Sequence, residues 1–264
     1  MKTHKKNYIG FFDSGIGGIS IWKRVKDLLP NENTIYLADC KNAPYGQKSK
    51  EEIIELSIKN TEFLLNQNVK IIVVACNTAT TNAIQILRSK YTIPFIGIEP
   101  AIKPAGLITK TQRIGILATD KTLNSDLFAK TSEKLDSDIK IIEQVGKGLV
   151  NLIEGGHIES NEIKNLLHQY LQPMLQKNID TLVLGCTHYS YLIPEIKKII
   201  GKHIKIIDSS LAVAKQTKNI LHSRNLLNIN NEFKTIDQFY SNKNTTILSR
   251  ILKNLPVTIC EKNF

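Results

Sequence analysis

Val73 to Thr80 reads VVACNTAT, and Val183 to Tyr189 reads VLGCTHY. In each, a run of β-branched and aliphatic residues ends at one cysteine, and polar residues able to bind an anion follow at once. A continuous apolar run of this kind fits a buried strand of an α/β sheet, where ligands bind beyond the carboxyl ends of the strands. Cys76 and Cys186 therefore stand where chemistry is done in such folds. One cysteine in such a place is more often a small buried hydrophobe. Two in matching contexts point to function.

Working outward from these stretches, the pattern repeats. Tyr8 to Phe12 is an apolar strand that runs into Asp13-Ser14-Gly15-Ile16-Gly17-Gly18. A glycine-rich turn between strand and helix lets backbone amides approach an anionic ligand. It is not a nucleotide fingerprint, because Ser20 stands where the third glycine belongs and no GxxxxGK[ST] occurs. A helix is expected over Ile19 to Leu29, ended by Pro30, then a strand over Thr34 to Ala38 ending at Asp39. Pro44-Tyr45-Gly46 forms a turn that would hold Tyr45 in a defined place. Ser49 with Glu52 reads as a capping box for a helix through about Asn66. The strand Ile71 to Ala75 delivers Cys76, and Asn77-Thr78 open the next helix, whose free amides and dipole favour a carboxylate.

Phe95 to Ile98 is a strand, and GIEPAIKPA, with its two prolines, reads as a stiff connection and the first domain crossover. Arg113 to Ala118 then resembles the first strand and is followed by Thr119. Ser14 precedes Cys76 by 62 positions (76 − 14), and Thr119 precedes Cys186 by 67 (186 − 119). A strand-end hydroxyl, several βα units and a strand-end cysteine, occurring twice in that order, indicate an internal duplication. Strands at Ile139 to Gln144, Ile179 to Gly185 and Lys205 to Ile207 are expected. Helices are expected near Gly148 to Glu154, Ser160 to Lys177 and Leu211 to His222. The Asn-rich tail from Asn225 shows only a helix at Thr246 to Leu255. The fold class is therefore α/β, with two similar α/β domains related by pseudo-twofold symmetry and the site in the cleft between them. The expected division is 1–97 with 208–264 for the Cys76 half, and 98–207 for the Cys186 half.

Composition narrows the function classes. The 264 residues carry a formal charge of +11, 42% hydrophobic and 22% charged residues, which is ordinary for a globular protein. No apolar stretch nears the roughly 20 residues needed to span a bilayer. The basic N-terminus breaks its apolar run at Asp13, too soon for a signal peptide's central segment, so the chain is expected in the cytoplasm. The basic residues are scattered and only five are arginine, with no basic stripe interleaved with aromatics, so nucleic acid is not the expected partner. Cys40, Cys76, Cys186 and Cys260 lie far apart without CxxC spacing, which argues against zinc or a disulfide framework.

Two thiols facing a ligand from opposite sides suit removal of a proton from one face of a carbon and delivery of one to the other, which is racemisation or epimerisation. A thiol of ordinary pKa near 8.5 is about 3% thiolate at pH 7, a penalty of about 2 kcal/mol. Holding and neutralising the carbanion is the larger task, within the roughly 8 to 23 kcal/mol that enzymes supply. His188, two residues after Cys186, and Asp13 are the candidate assisting groups.

FDSGIGG at Phe12 to Gly18, PYG at Pro44 to Gly46, ACNTA at Ala75 to Ala79, GIEPAIKPA at Gly97 to Ala105 and LGCTHY at Leu184 to Tyr189 together closely resemble bacterial glutamate racemases. The resemblance spans about residues 8 to 210. It implies cofactor-independent interconversion of L- and D-glutamate for peptidoglycan, with no metal and no other cofactor. By the resemblance, Cys76 and Cys186 match the proton-transfer pair, the first acting on D-glutamate and the second on L-glutamate. Asp13 and Ser14, Tyr45 and Gly46, Asn77 and Thr78, and Thr187 and His188 match substrate-binding pairs, and Glu154 matches a helper glutamate. Asn42-Ala43, Asp120-Lys121-Thr122 and Ser190 depart from the usual pattern. The family is often dimeric, which adds a homodimer to the expectations. Aspartate racemase, of the same superfamily, and a non-catalytic binding protein are the rival readings.

Overall fold

The computed structural model describes residues 7–228 and 235–264. The basic start, residues 1–6, and part of the Asn-rich tail, 229–234, lie outside the described residues. The chain runs β1 (Tyr8–Asp13), α1 (Ile19–Leu28), β2 (Asn33–Ala38), α2 (Lys50–Asn66), β3 (Val69–Val74), α3 (Asn77–Lys90), β4 (Phe95–Gly97) and α4 (Ile102–Ile108). It continues through β5 (Arg113–Ala118), α5 (Asp120–Leu123), α6 (Asp126–Ser132), β6 (Lys140–Val145), α7 (Leu149–Glu154), α8 (Asn161–Gln176), β7 (Thr181–Gly185), α9 (Ile193–Ile200) and β8 (Lys205–Ile207). The last elements are α10 (Ser210–Ser223), β9 (Asp237–Ser241), α11 (Thr246–Leu252) and β10 (Thr258–Glu261).

Two parallel sheets result, ordered β10-β9-β2-β1-β3-β4 and β6-β5-β7-β8. The segment β2-β1-β3-β4 and the whole of β6-β5-β7-β8 follow the same winding, the structural form of the duplication read from the sequence. In each, the chain leaves the first strand toward one side and returns to the other, so a switch point opens between β1 and β3 and again between β5 and β7. Such points form crevices beyond the carboxyl ends of the strands. Asp13 and Cys76 stand at the first, Thr119 and Cys186 at the second.

The apolar runs are continuous because both sheet faces are covered. Phe11, Ile71 and Val73 face one core while Phe12, Ile72 and Val74 face another, the period-2 alternation of a strand. Each fully buried side chain of this size contributes about 1.5 to 3 kcal/mol. Helix starts follow local chemistry: Ser49 Oγ accepts from Glu52 N at 3.2 Å and Glu52 Oε2 from Ser49 N at 2.8 Å, the capping box of α2.

Two expectations need correction. GIEPAIKPA is not only a linker, since α4 begins inside it with Pro104 as its third residue. Proline is tolerated there because the first turn's N–H groups have no intrahelical acceptor. The tail also carries more than a helix: β9 and β10 extend the first sheet beyond β2. A buried chain of bonds holds β9 in place. Trp22 Nε1 donates to Thr34 Oγ1 (2.8 Å), Thr34 Oγ1 to Asp237 Oδ1 (2.6 Å), and Lys26 Nζ pairs with Asp237 Oδ2 at 3.0 Å. Among the described residues no helix is long and apolar enough to cross a membrane.

Candidate active site

β1 ends at Asp13, whose buried carboxylate shapes the glycine-rich turn. Oδ2 accepts from the amides of Gly15 and Gly18, both at 3.1 Å, and Glu154 Oε1 takes the amide of Ile16 at 2.7 Å. The turn was expected to offer its amides to a ligand; these three are already bonded to the protein. The glycines serve close approach instead. A Cβ on Gly17 would lie 2.7 Å from two atoms of the His188 ring, and one on Gly15 would lie 2.5 Å from the Glu154 carboxyl carbon. The turn is bare so that the second half of the chain can press against it.

β3 delivers Cys76 as the N-cap of α3, its Sγ accepting from Ala79 N at 3.4 Å and lying 3.7 Å from Ser14 Oγ. Thr78 Oγ1 meets Thr119 Oγ1 at 2.9 Å and Thr122 Oγ1 at 3.3 Å, so hydroxyls from the two switch points interlock. Tyr45 is held as its turn predicts, after a cis Ala43-Pro44 bond. Its hydroxyl donates to Asp39 Oδ2 at 2.5 Å and accepts from Asn60 Nδ2 at 3.1 Å. Gly46 lies against Thr119, where an added Cβ would stand 2.9 Å from that residue's own.

From β7, Cys186 places Sγ 3.8 Å from His188 Nδ1, and His188 Nε2 reaches Glu154 Oε1 at 2.5 Å. Glu154 closes α7 and also lines a separate open cleft with Cys40 and Lys243. The His188–Glu154 contact is thus the wall between that cleft and the thiols.

A tight, nearly closed space gathers both cysteines. Ser14, Tyr45, Gly46, Asn77, Thr78, Thr187 and His188 line it with them. Asp13 and Glu154 stand one contact behind its wall. Sequence reasoning did not assign Thr119, Val150 or Pro44 to the enclosure, though all three line it. It also passed over Asp39, which ends a strand as Asp13 does and anchors Tyr45. Cys76 is 5% exposed and Cys186 7%.

Burial, then the nearby Asp13 charge, push the Cys76 thiol far up, against weaker opposition from the Ala79 amide and Ser14. Burial opposes a charge on His188, but hydrogen bonds to Cys186 and Glu154 and the charges of both hold its pKa well above the ordinary value. Asp13 is raised to about 6, by burial first, with His188 and the Gly18 amide pulling the other way. Its Oδ1 and Asn77 Oδ1 are buried without a hydrogen-bond partner among the described residues. Leaving a buried acceptor unmet costs about 1 to 3 kcal/mol, which a ligand donor would recover. Among the described residues no group of three or more His, Cys, Asp and Glu side chains could hold a metal ion.

The profile of the Asp/Glu/Hydantoin racemase family matches residues 19–217. A glutamate racemase of Ralstonia pickettii is 44% identical over 226 residues, 86% of this chain and 80% of that protein. Among solved structures, a glutamate racemase isoform from Bacillus anthracis superposes with a TM-score of 0.89 at 30% identity, covering 99% of each chain. The Francisella tularensis glutamate racemase in complex with D-glutamate gives 0.84 at 31% identity over 98% of each. Motif order, fold and sequence identity agree over most of the length, and the chain belongs to the Asp/Glu/Hydantoin racemase family.

Proposed function

We propose that this protein racemises glutamate, using Cys186 and Cys76 as the two proton-transferring groups and no cofactor. The observation that carries the reading is that two buried cysteines, from equivalent strand ends of two matching sheets, line one small enclosure. His188 Nδ1 lies 3.8 Å from Cys186 Sγ, within reach to exchange a proton with it. Cys76 has no such partner and keeps its proton. On this reading Cys186 takes the α-proton of L-glutamate and Cys76 returns one to the opposite face. That gives D-glutamate, and the reverse direction starts from Cys76. His188, steadied by Glu154, and Asp13 assist the two sulfurs.

Asp13 belongs to the binding proposal from behind the wall, beside Ser14, while Ser14, Asn77, Thr78 and Thr187 supply donors for the substrate carboxylates. Tyr45 and Gly46 complete the binding wall. Asn77 and Thr78 open α3, where amides and dipole favour an anion. The division into 1–97 with 208–264, and 98–207, belongs to the same proposal and is supported by the distribution of strands between the two sheets. The biological setting proposed is the cytoplasm, with D-glutamate supplied to peptidoglycan and the protein acting as a homodimer.

The test is optical. Metal-free protein is incubated with L-glutamate and the ellipticity followed, with L-aspartate as the specificity control. Decay with glutamate alone supports the proposal; decay with aspartate alone moves the activity to the sister enzyme, and no decay with either refutes it.

A further inference from the structure

The tail beyond the family match reaches the wall of the enclosure. Asn242 follows β9 and is buried, and its amide makes two contacts with the segment that leads into the Tyr45 turn. Nδ2 donates to Asp39 Oδ1 at 2.5 Å, and Oδ1 accepts from Lys41 N at 2.9 Å. Asp39 Oδ1 also accepts from Asn42 Nδ2 at 2.7 Å, while Oδ2 takes the Tyr45 hydroxyl at 2.5 Å. Asp39 N in turn donates to Asp13 O at 3.0 Å. One buried residue, Asp39, therefore ties the first switch point through its amide, and the Tyr45 turn and the tail through its carboxylate.

We infer that Asn242 is a positioning residue for substrate binding, acting through Asp39 on Tyr45 and Gly46. The inference rests on the reading of this enclosure as the glutamate site. An asparagine suits the place because it offers a donor to the carboxylate and an acceptor to the Lys41 amide from one planar group. Asp39 alone does not fix the turn, because its two oxygens rotate together unless donors on both sides hold the carboxylate plane. Asn242 and Asn42 hold one oxygen, which fixes the other where the Tyr45 hydroxyl meets it. Asn242 does not line the enclosure, so its loss alters where the wall stands and leaves the thiols and His188 in place.

The experiment is steady-state racemisation by Asn242→Ala and Asn242→Asp, with Asp237→Ala as a control destabilised in the same strand but far from Asp39. A lost hydrogen bond to a charged group predicts a rise in KM of roughly tenfold for N242A, with kcat nearly unchanged. N242D keeps the acceptor for Lys41 but turns a second carboxylate on Asp39, so its KM rises further. D237A keeps the wild-type KM. If N242A does not fold, Asn242→Ser is read by the same split between KM and kcat. KM values for the Asn242 variants equal to wild type, or a rise in D237A matching theirs, overturn the inference. Failure of the wild-type protein to racemise glutamate would instead overturn the reading on which it rests.

Discussion

Replacing Gly17 by alanine isolates the close approach of the two halves. The residue has no backbone conformation that needs glycine, so the added methyl acts only through space. Its Cβ would stand 2.7 Å from two atoms of the His188 ring and closer still to Nδ1, against an ordinary contact of about 3.4 Å or more, so the ring must retreat by about 1 Å. His188 has little room, being buried between Cys186 and Glu154. Overpacking of this kind costs about 1 to 3 kcal/mol, or a fall in Tm of roughly 2 to 12 °C for a chain of this size. Catalysis suffers separately: at about a hundredfold per ångström of misplacement, a shift of about 1 Å predicts roughly a hundredfold loss of kcat. Urea unfolding and racemisation followed by ellipticity measure the two effects. In a His188→Ala background the methyl has room, so the stability cost of G17A should disappear. Wild-type activity and stability in G17A, or an equal stability cost in both backgrounds, would refute the reasoning.

Replacing either Cys76 or Cys186 by serine should nearly abolish racemisation while leaving unfolding transitions close to wild type, since a hydroxyl of nearly the same size is a far weaker acid than a thiol and does not ionise near neutral pH; near-normal turnover in either variant contradicts the two-thiol scheme. Asp237→Ala removes the buried partner of Lys26 and Thr34. Because Lys26 keeps Glu32 O and Thr235 Oγ1, the loss should fall near the low end for a broken buried pair, about 3 kcal/mol by urea unfolding, with kcat retained. Asp13 titrates near 6 in the folded protein against 3.8 ordinarily. Between those values the folded state binds the extra proton, so this group's contribution to stability falls as pH rises from about 4 to 6, by about 3 kcal/mol. Asp13→Asn should remove that slope, which unfolding curves across this pH range detect.

The buried strands and their cysteines were legible because a strand covered on both faces writes an unbroken apolar run. Asp13 and Thr119 were legible as the residues that end such runs. The tail strands left a weaker trace: β9 is half-buried in alternation and β10 is largely exposed, so neither produces that run. The glycine-rich turn was located but its use was not. Its Ile16 amide is met by Glu154, 138 positions away, and no local pattern encodes that encounter. The same holds for Asp39 and Asn242, separated by 203 positions. Proline at Pro104 reads locally as a break, yet in a first helical turn it costs nothing.

The central claim is that two sulfurs on opposite faces exchange protons with the substrate, and the distribution of deuterium tests it most directly. L-Glutamate converted in deuterated water is sampled at low conversion, and the α-carbon of each enantiomer is analysed. The account predicts deuterium in the D-glutamate formed while the remaining L-glutamate still carries hydrogen, because the proton removed by Cys186 is not the one Cys76 returns. D-Glutamate that retains the original α-hydrogen would mean that one group serves both faces, and would contradict the account.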